Sequence, residues 1–335
     1  MISDCYFVTN YNPGFVIAYY DSLSFQPLVI SEKGRYQNGS TGNDAFDMCI
    51  ESAMVTFVGG GGGGPQITDD HYVSSTTHLE KGVNPLCTVE WNQRQPFNWY
   101  CSNPYNYDVP AGCVPIAILQ AMQVFSYPDE VNLSYLDNRT IQIPWDDMSS
   151  MPSYPSQTTE SIAAAHLSRE IGERVNVVYN VTSHGGSVAY MTDVPDCLSS
   201  FNYYSSSLDN YDFSRVISSV DEESPVIISG VASNNRGHAW LVDGYLEEID
   251  STRWTRVGSH HFPIDAGYEV TKSWYLHFNF GWGGQDNTFV LSRKDYFGDA
   301  ELLLNPPISQ TLVSMFSGNF TSNCRIITNI KPNEL

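Results

Sequence analysis

The chain has few basic residues. Its 335 residues include 16 Lys and Arg against 37 Asp and Glu, which gives a formal net charge of −21. No stretch collects lysines and arginines into a basic stripe, the feature with which proteins neutralise phosphate groups. This scarcity argues against nucleic-acid binding. An acidic surface of this kind instead keeps a protein soluble through self-repulsion.

Long apolar stretches are missing as well. No run approaches the roughly 20 apolar residues that a membrane helix needs, so no membrane span is predicted. The segment from Met1 to Cys5 has neither the basic start nor the apolar core of an export signal. The acidic balance nevertheless fits an exported protein. We therefore expect a secreted, cell-surface or periplasmic protein whose export signal does not stand in this chain.

The cysteines lack the close spacing of metal and redox motifs. The sequence contains Cys5, Cys49, Cys87, Cys101, Cys113, Cys197 and Cys324, and no CxxC pair occurs. Neither a zinc knuckle nor a thioredoxin-like motif is predicted. The neighbouring His260 and His261 are a weak indication of a metal site, and we expect no metal and no cofactor. The odd count leaves one thiol unpaired even if the other six form disulfides, whose pairing stays open.

Six consecutive glycines, Gly59 to Gly64, form the clearest boundary in the chain. Glycine loses much backbone entropy on ordering, so this stretch and the following Pro65 predict a linker. We divide the chain into residues 1–58, a Gly-rich linker at 59–65 and a main domain at 66–335. The linker is either a plain spacer or an exposed site for activating proteolysis, because nicking concentrates in exposed loops.

Residues 5–31 carry runs of β-forming residues around a Pro–Gly turn, which predicts a small antiparallel sheet. Residues 44–58 are expected to form a helix that covers it. In the main domain, residues 66–112 are polar and turn-rich. Apolar spacing predicts helices at 113–125 and 160–173, with shorter ones near 194–201 and 213–222, and strands after Pro225. Helices first and strands later predict an α+β fold with two unequal lobes.

Cys113 follows Gly112 at the start of the predicted helix 113–125. A helix N-terminus carries partial positive charge, which favours the thiolate, the reactive form of cysteine. Gly112 lets the backbone turn sharply and leaves room for a substrate. An isolated cysteine is more often a small buried apolar residue, so the assignment of Cys113 as a nucleophile depends on its partners.

Three segments supply candidate partners for Cys113. His238 opens an apolar strand after a polar loop, where it would act as the general base. Asn279 would accept a hydrogen bond from the His238 ring and select its tautomer, and Trp282 would shield that bond from water. Gln93 would join the N–H of Cys113 in stabilising an oxyanion. Taken singly, these patterns are also typical of ordinary loops and turns.

As an ordered set, the motifs resemble the streptopain family of bacterial cysteine peptidases, which have a papain-like fold. The matching segments are Phe15–Ala18 with Pro27–Ser31, Trp91–Asn98, Gly112–Ala117 with Gln120 and Met122, Ile143–Met148, Ser183–Ser187 with Val194 and Pro195, and Gly237–Gly244. Together with Asn279 to Gly284, they extend over most of the chain.

The resemblance implies a papain-like fold with a helical lobe, an antiparallel β lobe and an N-terminal pro-segment remnant in residues 1–58. It implies a cysteine endopeptidase that is made as a zymogen, is bound by its own pro-segment and cleaves proteins and peptides without a metal. By position in the motifs, Cys113 is the nucleophile, His238 the base and Gln93 the oxyanion donor. Asn279 and Trp282 are supporting residues.

The chain departs from the family pattern at Phe280, where the family usually has tryptophan, and we expect this change to affect efficiency more than mechanism. The first part of the pro-segment is missing, so latency is expected to be incomplete. Residues 295–320 lack the glycine-rich loop that streptopain has near its substrate groove. Two other functions stay open: an acyltransferase or amidase on the same scaffold, and a catalytically weak homologue that binds proteins.

Overall fold

The computed structural model describes residues 6–10, 14–21, 24–31, 36, 71–101, 109–151, 156–181, 186–231, 237–257, 264–298, 310–312 and 324–333. The helices are α1 Cys113–Phe125, α2 Trp145–Ser149, α3 Thr159–Arg174, α4 Val194–Ser200 and α5 Phe213–Asp221, with short 3₁₀ turns at Ser134–Leu136 and Met191–Asp193. The strands are β1 Tyr6–Asn10, β2 Phe15–Asp21, β3 Ser24–Ser31, β4 His71–Val83, β5 Glu130–Leu133, β6 Arg139–Gln142, β7 Val178–Val181, β8 Gly186–Val188, β9 Tyr203–Tyr204, β10 Asp209–Asn210, β11 Val226–Val231, β12 Gly237–Val257, β13 Ile264–Asn279, β14 Thr288–Gly298, β15 Gln310–Leu312, β16 Arg325–Ile327 and β17 Lys331–Pro332.

One large sheet with antiparallel pairing organises the molecule. Its strands follow the order β1-β2-β3-β14-β13-β12-β11-β16-β10, and β4 and β15 pair with β12 and β14. Strand β12 is the longest, at 21 residues. One edge of β12 pairs first with β11 and then with β4, while its other edge pairs with β13. The start of β12 therefore lies inside the sheet, and this is where His238 is placed.

The side chains of β12 alternate between two apolar cores. Ala239 and Leu241 belong to a cluster that includes most of α1, whereas Trp240 and Val242 belong to a second cluster with the other sheet strands and α5. Successive side chains of a strand point to opposite faces, so β12 separates a helical lobe from a β lobe. The α+β architecture with two lobes is confirmed.

Helix α1 lies at the centre of the helical lobe. Every residue from Val114 to Gln123 is buried. A helix that is covered on all sides is a core helix, so its backbone has little freedom to move. Pro115 stands in the first turn, where a missing N–H breaks no intrahelical bond. The chain leaves α1 at Ser126, which adopts a left-handed conformation with φ of 50°.

Most helix predictions are confirmed, whereas the reading of residues 66–112 as turn-rich was incomplete. Helices α1, α3, α4 and α5 fall where the apolar spacing placed them. Strand β4 was missed, because residues 77–82 are exposed and show no apolar alternation. Its pairing with β12 over thirteen positions creates the strand. Tertiary pairing thus overrides a local pattern that carries no β signal.

The small N-terminal sheet is confirmed, but it is not separate from the main domain. Strands β1, β2 and β3 pair in sequence, and β3 also pairs with β14 through Ser31, Ile30 and Val29. Phe15 and Leu28 are fully buried in the core of the β lobe. The predicted helix at 44–58 and the linker at 59–65 lie outside the described residues, so the division at the linker stays a prediction.

Five of the seven cysteines lie in the described part of the chain, and all five are free thiols: Cys87, Cys101, Cys113, Cys197 and Cys324. No disulfide therefore forms among these five. None of the described helices has the length and apolar character that a membrane crossing requires.

Candidate active site

The backbone around Gly112 places Cys113 at the first position of α1. Gly112 has φ of 105°, a conformation that costs residues with a Cβ free energy and that glycine adopts freely. A Cβ added to Gly112 would lie 3.4 Å from the Pro115 side chain and 3.5 Å from the Ser187 side chain, so both side chains are within van der Waals contact of this position. The sharp turn before the helix directs the Cys113 thiol toward the start of β12.

The surroundings of Cys113 lower the pKa of its thiol. Burial is the largest effect and acts in the opposite direction, because a desolvated thiolate is unfavourable. The charge of His238, a hydrogen bond from its ring, and the backbone N–H groups of Ala239 and Val114 together outweigh burial. The thiolate is therefore held by one side chain and by backbone groups of two different elements, α1 and β12.

The other side of the His238 ring faces a backbone carbonyl. Its Nε2 lies 3.2 Å from the Phe280 oxygen. A carbonyl only accepts hydrogen bonds, so Nε2 must carry a proton there. With this tautomer Nδ1 of a neutral ring is unprotonated, so it is the nitrogen that can act as a general base toward the neighbouring Cys113. Trp282 Nε1, which can only donate, lies 3.4 Å from the same Nε2, and with the proton on Nε2 this longer contact is not a hydrogen bond.

Three aromatic rings surround His238. Trp240 stacks on it with ring centroids 6.0 Å apart and planes 15° apart, and it is fully buried. Phe280 and Trp282 lie at 6.3 and 6.1 Å, both tilted. Trp282 is 45% exposed, so it covers the ring on the solvent side. The aromatic wall keeps water away from the contact between His238 and Phe280, which preserves its strength.

The prediction that the His238 ring donates a hydrogen bond to Asn279 is wrong. Among the hydrogen bonds of the described residues, none joins these two side chains. The Asn279 Oδ1 instead accepts from Gln120 Nε2 at 2.8 Å and from the Gly281 N–H at 3.2 Å. Its Nδ2 donates to the Val89 carbonyl at 3.1 Å. The Phe280 carbonyl occupies the position that was expected for Asn279, because the chain turns immediately after β13.

The Gln93 segment lies beside the start of α1. The Gln93 carbonyl accepts from the N–H of Ala111 at 2.8 Å, which brings this segment within two residues of Cys113. On its other side, Asn92 forms a β-bridge with Trp282, and the N–H of Gly283 donates to the Trp91 carbonyl at 3.0 Å. Three of the four segments that carry the predicted site residues, those of Gln93, Cys113 and Trp282, are thus bonded to one another.

Sequence reasoning missed Trp240 and the Phe280 carbonyl, and it gave Gln120 no role in the site. Trp240 follows His238 by two residues on the same strand, so strand alternation alone would have placed both on one face. Gln120 stands seven residues after Cys113, two helical turns away, so helical spacing would have placed it below the thiol on one face. The role of Phe280 is carried by its backbone, and no side-chain pattern reports it.

Within the described residues, one group of side chains has spacing that suits a metal ion. Potential ligand atoms of His78, Glu80 and Glu248 lie within 4.8 Å of one another on β4 and β12. His78 already bonds Asp250 through Nδ1 at 2.7 Å, and both side chains are substantially exposed. Exposed groups of this kind are common without an ion, so we assign no metal to them. The expectation of no metal and no cofactor stays a prediction.

A thiol of lowered pKa beside an oriented imidazole can attack an electrophilic carbonyl and transfer protons in the same site. The helical lobe supplies the thiol and the β lobe supplies the imidazole. The two-lobed α+β fold agrees with that of the papain-like cysteine peptidases. The chain belongs to the peptidase C10 family, the streptopain family, whose family model matches residues 91–290.

Two similar proteins agree with this assignment. A thiol protease/hemagglutinin, PrtT, from Porphyromonas gingivalis is 24% identical over 278 residues, which are 76% of this chain. The chain spans only about a quarter of the length of that relative, 27%. A fragment of prointerpain A from Prevotella intermedia matches 97% of this chain and 95% of its own, with a TM-score of 0.58 and 19% identity. The second similarity supports the fold.

Proposed function

We propose that this protein is a cysteine endopeptidase, made as a zymogen, with Cys113 as nucleophile and His238 as general base. The main observation in support of this proposal is the environment of Cys113. Among the five described cysteines it is the one that is partly exposed, and the one whose thiol pKa is lowered. Membership of a peptidase family supports peptide bonds as the target.

The proposed reaction begins with the transfer of the Cys113 proton to His238 Nδ1, or with the two groups already resting as an ion pair. The Sγ then bonds to the carbonyl carbon of a peptide, and the carbonyl oxygen becomes an oxyanion. The Gln93 amide and the Cys113 N–H would donate to this oxygen. The Cys113 N–H is available because the first N–H groups of a helix have no intrahelical acceptor.

The tetrahedral intermediate collapses when the carbon–nitrogen bond breaks. The His238 imidazolium gives its proton to the leaving amine, and an acyl-enzyme thioester stays on Cys113. Water then attacks the thioester, with His238 accepting its proton, and the carboxylic acid leaves as the thiol is restored. During both steps the imidazolium keeps its Nε2 proton on the Phe280 carbonyl, so the ring keeps one orientation.

The zymogen proposal is supported by the way the N-terminal hairpin packs. Strand β3 pairs with Thr288 to Val290, directly after the loop that contains Phe280 and Trp282. Thr288 Oγ1 also donates to the Ile30 carbonyl at 2.6 Å. Fully burying a side chain such as Phe15 or Leu28 contributes about 1.5–3 kcal/mol each. The hairpin is therefore expected to stay bound when the linker is cut, so the cleaved form should hydrolyse substrate partially and reach full activity once the hairpin dissociates.

We propose that the substrates are proteins and peptides and that this protein is exported from the cell. One relative is named a thiol protease/hemagglutinin, which supports proteolysis as the activity of this chain. The net charge of −21 suits a protein kept soluble outside the cell.

The experiment measures the pH dependence of Cys113 alkylation by iodoacetamide in the full chain, before and after cleavage at the linker. Cys113→Ser and His238→Ala are the controls, and hydrolysis of a denatured protein is followed in parallel. We expect fast alkylation well below pH 8 that requires His238, together with hydrolysis in the cleaved form. Alkylation that titrates near pH 8.5 in the cleaved form would contradict the proposal and favour a protein-binding homologue. Amide exchange without net hydrolysis would favour an acyltransferase.

A further inference from the structure

The orientation of His238 depends on a backbone carbonyl in a glycine-rich turn. The turn from Phe280 to Gly284 contains three glycines with positive φ: Gly281 at 69°, and Gly283 and Gly284 at 72°. Glycine is conformationally permissive, so this sequence does not hold the Phe280 carbonyl in one direction by itself. A catalytic group must be held closely to be effective. Contacts from outside the turn have to supply that rigidity.

Asn279 supplies the first of these contacts. Its Oδ1 accepts from the N–H of Gly281, at 3.2 Å, and so closes the turn around Phe280. Its Nδ2 donates to the Val89 carbonyl at 3.1 Å, which ties the turn to the segment before Trp91. An N–H only donates and a carbonyl only accepts, so these two partners fix which end of the Asn279 amide faces the turn.

Gln120 supplies the second contact, from α1. Since Asn279 Oδ1 faces it, Gln120 must present its Nε2, and the two atoms lie 2.8 Å apart. Gln120 is fully buried, and its Oε1 has no hydrogen-bond partner within the described residues. A buried amide with an unpaired oxygen costs stability. The presence of Gln120 on an otherwise apolar stretch of α1 is therefore better explained by its bond to Asn279 than by a contribution to the stability of the fold.

Gln120 and Asn279, together called the brace, connect Cys113 and His238 through the single helix α1. Gln120 lies seven residues after Cys113, about 10 Å along the same helix. Ile116, between them, is also in close contact with the turn, because a Cβ on Gly281 would lie 2.8 Å from its Cγ2. The helix that carries the thiol thus also positions the carbonyl that orients the base.

We propose that Gln120 and Asn279 are positioning residues that hold the Phe280 carbonyl, and through it the His238 ring, in place beside Cys113. This inference rests on the proposed pairing of Cys113 with His238. Loss of the brace lets the Phe280 carbonyl rotate away, so His238 loses its fixed tautomer and its orientation. The thiolate then loses a charged partner, and the thiol pKa rises.

The test compares Gln120→Met with Gln123→Met in the full chain. Gln123 is a matched control because it is also a buried glutamine of α1, donates one hydrogen bond through Nε2, to Ser149 at 3.3 Å, and has an unpaired Oε1 among the described residues. Methionine has nearly the volume of glutamine and removes only the amide. The measurements are the thermal midpoint and the alkylation rate of Cys113 by iodoacetamide from pH 4 to 10.

We expect the midpoint of the pH–alkylation profile of Cys113 to rise by about one unit in Gln120→Met, which lowers the alkylation rate about tenfold at a pH below both midpoints. Gln123→Met should keep the wild-type pH profile, even if both variants lose thermal stability equally. Identical profiles for Gln120→Met and wild type, with a lowered thiol pKa in both, would overturn the brace alone. An ordinary thiol pKa in the wild-type protein would instead overturn the proposed function.

Discussion

The thiol at the start of α1 has a lowered pKa, whereas the four described thiols in the interior of the molecule have raised pKa values. Burial raises the pKa of Cys101 to about 11 and those of Cys197 and Cys324 to about 12. It raises the pKa of Cys87 as well. Burial is also the largest single effect on Cys113, yet the pKa of this thiol is lowered. Desolvation therefore does not distinguish the two regions.

The difference is the imidazole of His238, whose charge and hydrogen bond are the two largest effects that lower the pKa of Cys113. Cys113 has His238 beside it and the N–H groups of Ala239 and Val114, which hold a thiolate. Cys101 and Cys197 lie near Arg169 and Arg174, whose charges lower their pKa values by less than burial raises them. Cys101 also has side-chain hydrogen bonds from Tyr179 and Ser168, and its pKa is still raised. Hydrogen-bond donors alone therefore do not activate a thiol, whereas the charged imidazole beside Cys113 does.

The largest expected effect comes from removing the imidazole. In His238→Ala, the pKa of Cys113 should rise toward that of the buried thiols, since burial remains and the main opposing effects are lost. Because a thiol reacts as its thiolate, alkylation at pH 6 should fall about a hundredfold or more, a shift of at least about two pKa units.

The matched control for this change is His166→Ala, which removes a half-buried histidine on α3 that bonds Tyr135 instead of a thiol. It should leave the alkylation profile of Cys113 unchanged. Equal profiles for His238→Ala and His166→Ala would show that the charge of His238 does not distinguish the two regions.

A smaller effect is expected from the turn before α1. Gly112→Ala places a Cβ at φ of 105°, which should lower the free energy of unfolding by about 1–3 kcal/mol and slow alkylation by shifting Cys113. Urea denaturation measures the first quantity. Gly186→Ala is the control, because its Cβ would make only an ordinary contact, 3.7 Å from Pro110. If Gly112→Ala is as stable as wild type, the turn is not strained for other residues.

Phe280→Leu separates the ring from the backbone at this position. The carbonyl that faces His238 is retained, so the alkylation profile should stay within about threefold of wild type. The lost packing should lower the free energy of unfolding by about 1.5 kcal/mol or less. The same reasoning explains how phenylalanine can replace the tryptophan that the family usually has. A large rise in the thiol pKa in this variant would mean that the ring, and not the carbonyl, orients the base.

The smallest effect is expected at an interior thiol. Cys197→Ala should not alter the alkylation profile of Cys113, and Cys197 itself should stay unlabelled in the native protein at pH 7. Cys197 is 2% exposed, and the pKa of its thiol is raised to about 12. Peptide mapping by mass spectrometry after a brief exposure to iodoacetamide distinguishes the labelled cysteines. Equal labelling of Cys197 and Cys113 at pH 7 would remove the basis of the comparison.

The sequence by itself determined the family, the two-lobed α+β architecture and most helices. Cys113 after a glycine at the start of an apolar helix, and His238 at the start of a strand, are local patterns with local causes. These patterns can be recognised in the sequence because helix starts, tight turns and side-chain periodicity depend on residues close together in the chain. For that reason the elements that carry Cys113 and His238, the proposed nucleophile and base, could be predicted from the sequence.

Only the tertiary structure decided what surrounds those two residues. It assigned the orientation of His238 to a backbone carbonyl, which every residue possesses and no motif reports. It paired Asn279 with Gln120, 159 residues away in the chain, instead of with His238. It also joined the N-terminal hairpin to β14 and formed β4 on the edge of β12. Such contacts depend on which distant segments pack together, and that balance of burial and hydrogen bonding exists only in the folded chain.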